Sequence, residues 1–156
     1  MASVSDHIAL ANRNHDALCY LLKEPQAHPE WVATVAFYKA VQVIEAVFAA
    51  TSGKHSHGHD DRIGNLKTPK FSDLFLSYRP LYAASLVARY LEDSGSKKVY
   101  DHVEHSKQYH KFTDYMTADA VIKRLLKKRL KPLEEHAIAI LGTDHKDSLH
   151  RIEVAL

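Results

Sequence analysis

The chain has 156 residues, of which 46% are hydrophobic and 26% are charged, and its formal net charge is +2. These values suit one domain with a packed core and exclude a disordered chain. The single cysteine, Cys19, excludes an internal disulfide and a cysteine-based zinc knuckle, and its place beside an apolar stripe predicts a small core residue. The N-terminus has no signal-peptide pattern, so we expect a cytoplasmic protein. We also expect a single domain with its core at about 6–142 and a peripheral tail at 143–156.

The first two predicted helices follow from apolar spacing and from residues that favour helix ends. Five glycines, five prolines and little strand-type alternation predict an all-α fold. The first helix is predicted from about Asp6 to Lys23, with His15 inside its apolar stripe as a hydrogen-bonded core histidine. The second lies between Pro29, at a favoured first position, and Gly53, at a favoured position beyond a helix end. It is apolar on most sides, which predicts a buried helix.

A narrow polar stripe remains on the second helix. On a buried helix such a stripe must be hydrogen-bonded, or must line a groove or a contact between subunits. The residues alone leave structural bonding and a groove both open. The stripe consists of Thr34, Tyr38, Gln42 and Glu45.

The segment TSGKHSHGHDDR at 51–62 predicts a polar loop that leads into a short helix around His59 to Leu66. Its alternating imidazoles suit zinc, copper or nickel. Alternate residues on a loop, however, need a further ligand from another element, and no H-E-x-x-H motif supplies one. We therefore predict that the chain binds no metal and no other cofactor. A histidine-rich metal-binding protein is kept as an alternative. The three histidines are His55, His57 and His59.

Two further helices are predicted in the remaining chain. Thr68 or Ser72 is a candidate cap, and Pro80 is expected near the start of the helix that contains YRPLYAASLVARYLED. Thr117 should cap a long helix that Gly142 ends. Pro132 should kink or split that helix. Residues 99–116 receive no assignment.

Six basic residues lie within nine positions of the last predicted helix, in KRLLKKRLK at 123–131. The leucines between them should face the core, which leaves a positive outer face that can follow the phosphates of a nucleic acid. A solvated helix face is the alternative. The predicted nucleic-acid-binding residues are Lys123, Arg124, Lys127, Lys128 and Lys131.

Several segments between residues 8 and 141 together resemble bacterial HEPN domains, a family name that abbreviates "higher eukaryotes and prokaryotes nucleotide-binding". The second helix matches the pattern W-V-x-x-V-A-F-Y-x-A at residues 31–40, although Gln42 stands where relatives often carry histidine. Residues 78–90, from YRPLYAASLVARY, match as well.

The loop after the second helix also matches the family pattern in part. Relatives carry S-H-x-x-R-N, and this chain has His59 and Arg62 at the matching positions, with Ile63 in place of the asparagine. We therefore expect a groove in which these two residues meet the polar stripe. The groove candidates are Tyr38, Gln42, Glu45, His59 and Arg62.

The resemblance implies an up-and-down bundle of four to five helices, often a homodimer, that binds or cleaves RNA in a toxin, phage-defence or RNA-processing context. An antitoxin or a nucleotidyltransferase is an implied partner. We expect no membrane contact, because no apolar run in the sequence reaches about 18 residues. Many members are metal-independent endoribonucleases with an R-x(4–6)-H motif, in which arginine stabilises the phosphorane and histidine transfers protons. Arg129 and His136 match that spacing, with Leu130 and Pro132 between them. A non-catalytic module for dimerisation or partner binding is the alternative.

Overall fold

The computed structural model describes residues 1–93, 99–100, 107–145 and 148–153. Of the described residues 71% are helical and none is in a strand, so the predicted all-α fold is confirmed. A short 3-10 turn precedes α4, and a π-helical segment joins α6 to α7. The elements are α1 Val4–Leu21, α2 Pro29–Ser52, α3 His59–Leu66, the 3-10 turn Pro69–Phe71, α4 Ser72–Tyr90, α5 Phe112–Tyr115, α6 Ala118–Ala120, the π-helical segment Val121–Leu130 and α7 Lys131–Leu141.

Helix α2 forms the centre of the bundle, in contact with α1, α4, the π-helical segment and α7. Pro29 is its first residue, and Gly53 follows its end in the left-handed conformation (φ 66), as predicted. By length and composition α2 is apolar enough to cross a membrane, but most of the helix is buried inside the chain, as in the core helix of a soluble protein. Since one chain already covers its apolar faces, burial of α2 needs no second subunit.

Helix α4 begins earlier than the sequence indicated. Its first residue is Ser72, and Pro80 lies inside the helix instead of near its start. Proline has no N–H to donate, so the carbonyl of Leu76, four residues earlier, loses its helical partner. Arg129 Nη1 donates to that carbonyl at 3.4 Å. A long-range hydrogen bond thus accompanies the interior proline.

The last predicted helix is present in three parts. Thr117 Oγ1 accepts from Ala120 N at 3.2 Å, which confirms the predicted cap. The backbone changes from π-helical to α-helical at Lys131, next to Pro132, where the sequence predicted a kink or split. Gly142 ends α7, as predicted.

The described tail is part of the core, which corrects the expectation of a peripheral tail at these positions. Leu149 and Ile152 are buried, at 4% and 1% exposure. Asn12 of α1 holds the tail on both sides: its Nδ2 donates to Ser148 O at 2.7 Å, and its Oδ1 accepts from His150 N at 2.8 Å. Two apolar side chains three residues apart are too weak a pattern to reveal this packing in the sequence.

We predict that Asn12→Ala releases the tail. The change removes both bonds to residues 148–150 and should lower the free energy of unfolding by about 1–3 kcal/mol. It should also make the tail more sensitive to limited proteolysis than it is in the wild type. Asn14→Ala, on the same helix but outside this contact, is the control. Equal proteolysis of the two variants would contradict the prediction.

Candidate functional site

Two charged residues of α2 are buried, and each organises a polar network. Lys39 is 0% exposed and Glu45 is 4% exposed. An unpaired charge is too costly to bury, so partners must come from other elements. The two networks therefore determine which side chains gather around α2.

The first network joins Lys39 to three other parts of the chain. Lys39 Nζ lies 2.6 Å from Glu134 Oε1 of α7, donates to His150 O of the tail at 2.7 Å, and lies 2.9 Å from His15 Nδ1 of α1. Glu134 Oε2 accepts from Ile152 N at 2.8 Å. One ammonium group thus holds α1, α7 and the tail against α2.

Burial dominates the electrostatics of this network. It lowers the pKa of Lys39 and raises the pKa of Glu134, and the attraction within the pair opposes both shifts. Burial and the charge of Lys39 also lower the pKa of His15, which is therefore neutral and accepts from the ammonium. His15 is the hydrogen-bonded histidine that its position predicted. Its Nε2 lies 3.4 Å from Cys19 Sγ, and Cys19 is exposed instead of in the core.

The second network centres on Glu45 and joins α2 to the following loop and to α3. Glu45 Oε1 accepts from Arg62 Nε at 2.9 Å, and Oε2 accepts from Ser56 N at 3.1 Å. Arg62 Nη1 donates to His59 Nδ1 at 2.9 Å. Three of the predicted groove residues are thus brought together as one hydrogen-bonded chain.

The rest of the polar stripe is bonded at separate points along α2. Gln42 Oε1 lies 2.8 Å from Nδ1 of His7 in α1. Tyr38 accepts from Arg89 Nη1 of α4 at 2.9 Å, and Thr34 Oγ1 donates to the backbone of its own helix at 2.7 Å. Structural bonding thus accounts for the stripe, and His59, one of the five groove candidates, lines an open cavity.

That cavity lies beside the loop and the start of α3, with a volume of about 430 Å³. The centroid of the His59 ring lies 5.7 Å from that of Phe37 and 5.7 Å from that of Tyr82. Tyr82 stacks on Tyr78, with ring centroids 5.8 Å apart. The opening therefore combines the aromatic ring of Tyr82 with two acidic residues, Asp60 and Asp61. Its lining residues are His57, Gly58, His59, Asp60, Asp61 and Tyr82.

The predicted catalytic pair lies away from this network, against the N-terminal half of α4. Arg129 contacts the carbonyl of Leu76, and His136 Nδ1 lies 4.0 Å from Asp73 Oδ2. The two α4 partners are three residues apart, so the arginine and the histidine share one side of the bundle. Arg129 has a structural role, because it bonds the Leu76 carbonyl that Pro80 leaves without a helical partner.

The basic segment has the predicted amphipathic form. Its leucines are buried, whereas Arg124, Lys128 and Lys131 are exposed and Lys127 is half-buried. Lys123 Nζ pairs with Asp119 Oδ2 at 2.9 Å on the helix surface. The positive outer face is therefore present, and contact with nucleic acid stays a prediction.

Several residues of these networks were not predicted from the sequence as site residues. Lys39 lies between two apolar rows of α2, and a lysine at an inward position was a usable signal. His7, Arg89 and Glu134 gave none, because their partners are 35 to 95 residues distant in the chain.

No family model, no curated protein and no solved structure matches the chain. The resemblance to HEPN domains therefore stays a prediction.

We predict that Tyr78 limits stability at alkaline pH. Burial raises its pKa from 10.0 to about 12, so between these values the unfolded chain loses the phenol proton while the folded chain keeps it. The stabilising contribution is complete below pH 10 and is lost as the pH rises towards 12. Tyr78→Phe should therefore lose less unfolding free energy than the wild type between about pH 9 and about pH 11.

The control is Tyr20→Phe, because the Tyr20 side chain is 72% exposed. Chemical denaturation at about pH 9 and about pH 11 measures how much unfolding free energy each variant loses between the two values. An identical pH dependence in Tyr78→Phe and the wild type would show that this phenol is not responsible.

Proposed function

We propose that the chain is an RNA-binding helical module of the HEPN type, an up-and-down bundle acting in a toxin, phage-defence or RNA-processing context. The observation that supports it best is the exposed basic face of the π-helical segment. Six cations occupy residues 123–131, and within the described residues Asp119 is the acidic side chain that pairs with one of them. Such a face binds phosphates regardless of base sequence.

A second feature next to this face suits a single-stranded nucleic acid. The Arg79 guanidinium lies over the rings of Tyr100 and Phe75, at 5.2 Å and 5.6 Å from their centroids. Burial raises the pKa of Tyr100, and the charges of Arg79 and Arg129 oppose that rise, so both guanidinium groups lie near the phenol. Cations beside aromatic rings provide phosphate binding and base stacking together.

Cleavage is a second candidate, supported by the shared side of Arg129 and His136. In this chemistry the RNA 2′-hydroxyl attacks the adjacent phosphate, arginine stabilises the phosphorane, histidine transfers protons, and a 2′,3′-cyclic phosphate remains. One contact favours binding over cleavage, because Arg129 is already engaged with Leu76 O.

We also propose a homodimer, the usual assembly of the family that the chain resembles. Support comes from exposed aromatic residues where α2 begins and α4 ends: Trp31 is 56% exposed and Tyr90 is 62% exposed. Trp31 and Arg89 line one cavity of about 240 Å³. A non-catalytic partner-binding module would use the same surface, with an antitoxin or nucleotidyltransferase in place of the second copy.

RNA binding through the basic face should weaken as salt rises. We expect the double variant Arg124→Ala, Lys128→Ala to lower the slope of log affinity against log salt by about 1.4, because each lost phosphate contact removes about 0.7 for a single strand. Lys54→Ala, an exposed lysine outside the face, should leave the slope unchanged. Fluorescence anisotropy with an unstructured RNA measures the slope.

The same RNA in excess EDTA reports cleavage. If the pair is catalytic, Arg129→Ala and His136→Ala should each lower the rate by roughly 100-fold or more. Binding without cleavage supports a binding module. Neither salt-sensitive binding nor cleavage would refute the proposed function and favour the partner-binding alternative.

A further inference from the structure

A cluster of three metal-ligand side chains lies at the N-terminal end of α1. It comprises His7 of α1, Glu45 of α2 and His55 of the loop that follows α2. One ligand atom from each residue lies within 4.8 Å of the other two. His7 and Glu45 are buried, at 8% and 4% exposure, and His55 is half-buried. The ligands converge from two helices and a loop, so the loop histidine has the further ligands from other elements that a metal site needs.

The ring of His7 is held in the tautomer that a metal ligand needs. Its Nδ1 lies 2.8 Å from Gln42 Oε1, an oxygen that can only accept, so Nδ1 carries the proton. The lone pair is then on Nε2. This atom is buried and has no hydrogen-bond partner in the described part of the chain. Metal-binding histidines commonly donate their other N–H to an oxygen in this way.

The Glu45 carboxylate brings the third ligand into place. Its Oε2 accepts from Ser56 N at 3.1 Å, which draws the loop across α2. The adjacent residue, His55, then lies edge-on to His7, with ring centroids 5.8 Å apart and an interplanar angle of 77°. Arg62 Nε holds Oε1 at 2.9 Å and fixes the orientation of the carboxylate. Each carboxylate oxygen keeps a second lone pair for a cation.

We propose that His7, Glu45 and His55 bind one divalent cation that prefers nitrogen ligands, with Zn²⁺ as the best match. Two neutral imidazoles and one carboxylate form a three-ligand zinc set, and water completes the coordination. The adjacent Arg62 cation disfavours Mg²⁺ and Ca²⁺, which depend on several negative oxygens. Zinc ligands of a tetrahedral site lie about 3.4 Å apart, given bonds of about 2.1 Å. The longest separation must therefore shorten, and the loop position of His55 permits this.

The other two histidines of the loop have different roles. His59 is bonded to Arg62 and packs between Phe37 and Tyr82. His57 is exposed, and its backbone N–H donates to Asp61 Oδ2 at 3.0 Å. The alternating pattern in the sequence therefore contributes one ligand, and His57 is a matched control for it. Bound zinc would fix the start of α1 to the loop that borders the aromatic and acidic cavity.

The test uses the full chain without a histidine tag, stripped with a chelator that is then removed. Isothermal titration with Zn²⁺ should show one equivalent bound by the wild type and by His57→Ala. His55→Ala should weaken binding at least tenfold. Gln42→Leu should weaken it about tenfold, because it removes the oxygen that bonds His7 Nδ1 and orients the ring. Co²⁺ as a probe should give the visible absorption of a four-coordinate site in the wild type.

Zn²⁺ should also raise the Tm of the wild type but not of His55→Ala, since a ligand that binds only the folded chain stabilises it. His55 is half-buried on a loop, and circular dichroism should show that His55→Ala folds. Absence of a stoichiometric site in the wild type would overturn the proposal. So would equal weakening by His55→Ala and His57→Ala, which would indicate loose binding by the loop alone. RNA binding does not enter this test, so the two proposals succeed or fail separately.

Discussion

The buried charge of Lys39 is the constraint on which the arrangement of this bundle most depends. An ammonium group in the centre of the most apolar helix must meet a carboxylate and other acceptors, or the helix cannot be buried. Glu134 provides the carboxylate, His15 an imidazole nitrogen and His150 a carbonyl oxygen. These partners come from α7, α1 and the tail, so one side chain determines how three separate segments pack against α2.

The same requirement at Glu45 shapes the other part of α2. Its two oxygens are bonded by Arg62 and by the backbone of Ser56, so the loop and α3 are placed by one carboxylate. This placement brings His55 next to His7 and creates the proposed zinc site as a consequence of packing. The basic face lies on the π-helical segment and the first residue of α7 instead, so the two proposed activities depend on different residues.

The parts of the fold that local chemistry determines were predictable from the sequence. Pro29 and Gly53 give the ends of α2, and Thr117 and Gly142 give the limits of the last helical region, because each acts on its own backbone. The interior position of Pro80 was not predictable, since the carbonyl of Leu76, which loses its helical partner at the proline, is bonded by Arg129 from a distant segment. The packed tail was missed for a similar reason: its bonds to Asn12 join residues more than 130 positions apart.

The candidate site shows the same division. The sequence identified Gln42, Glu45, His59 and Arg62 as polar residues on or near a buried helix, and the structure bonds all four. It did not identify His7 as the partner of Gln42, because nothing local links α1 to that position. A histidine pattern on a loop was visible, but its geometry depends on a carboxylate that the loop does not contain.

The most direct test of the account is a double-mutant cycle on the central ion pair. Lys39→Met and Glu134→Leu are each made alone and then together, and denaturant unfolding gives the three free energies. Each single change leaves one buried charge unpaired and should cost about 3–5 kcal/mol, whereas the double change should cost much less than their sum. Additive losses below about 1 kcal/mol each, as for a surface pair, would contradict the claim that this pair organises the bundle.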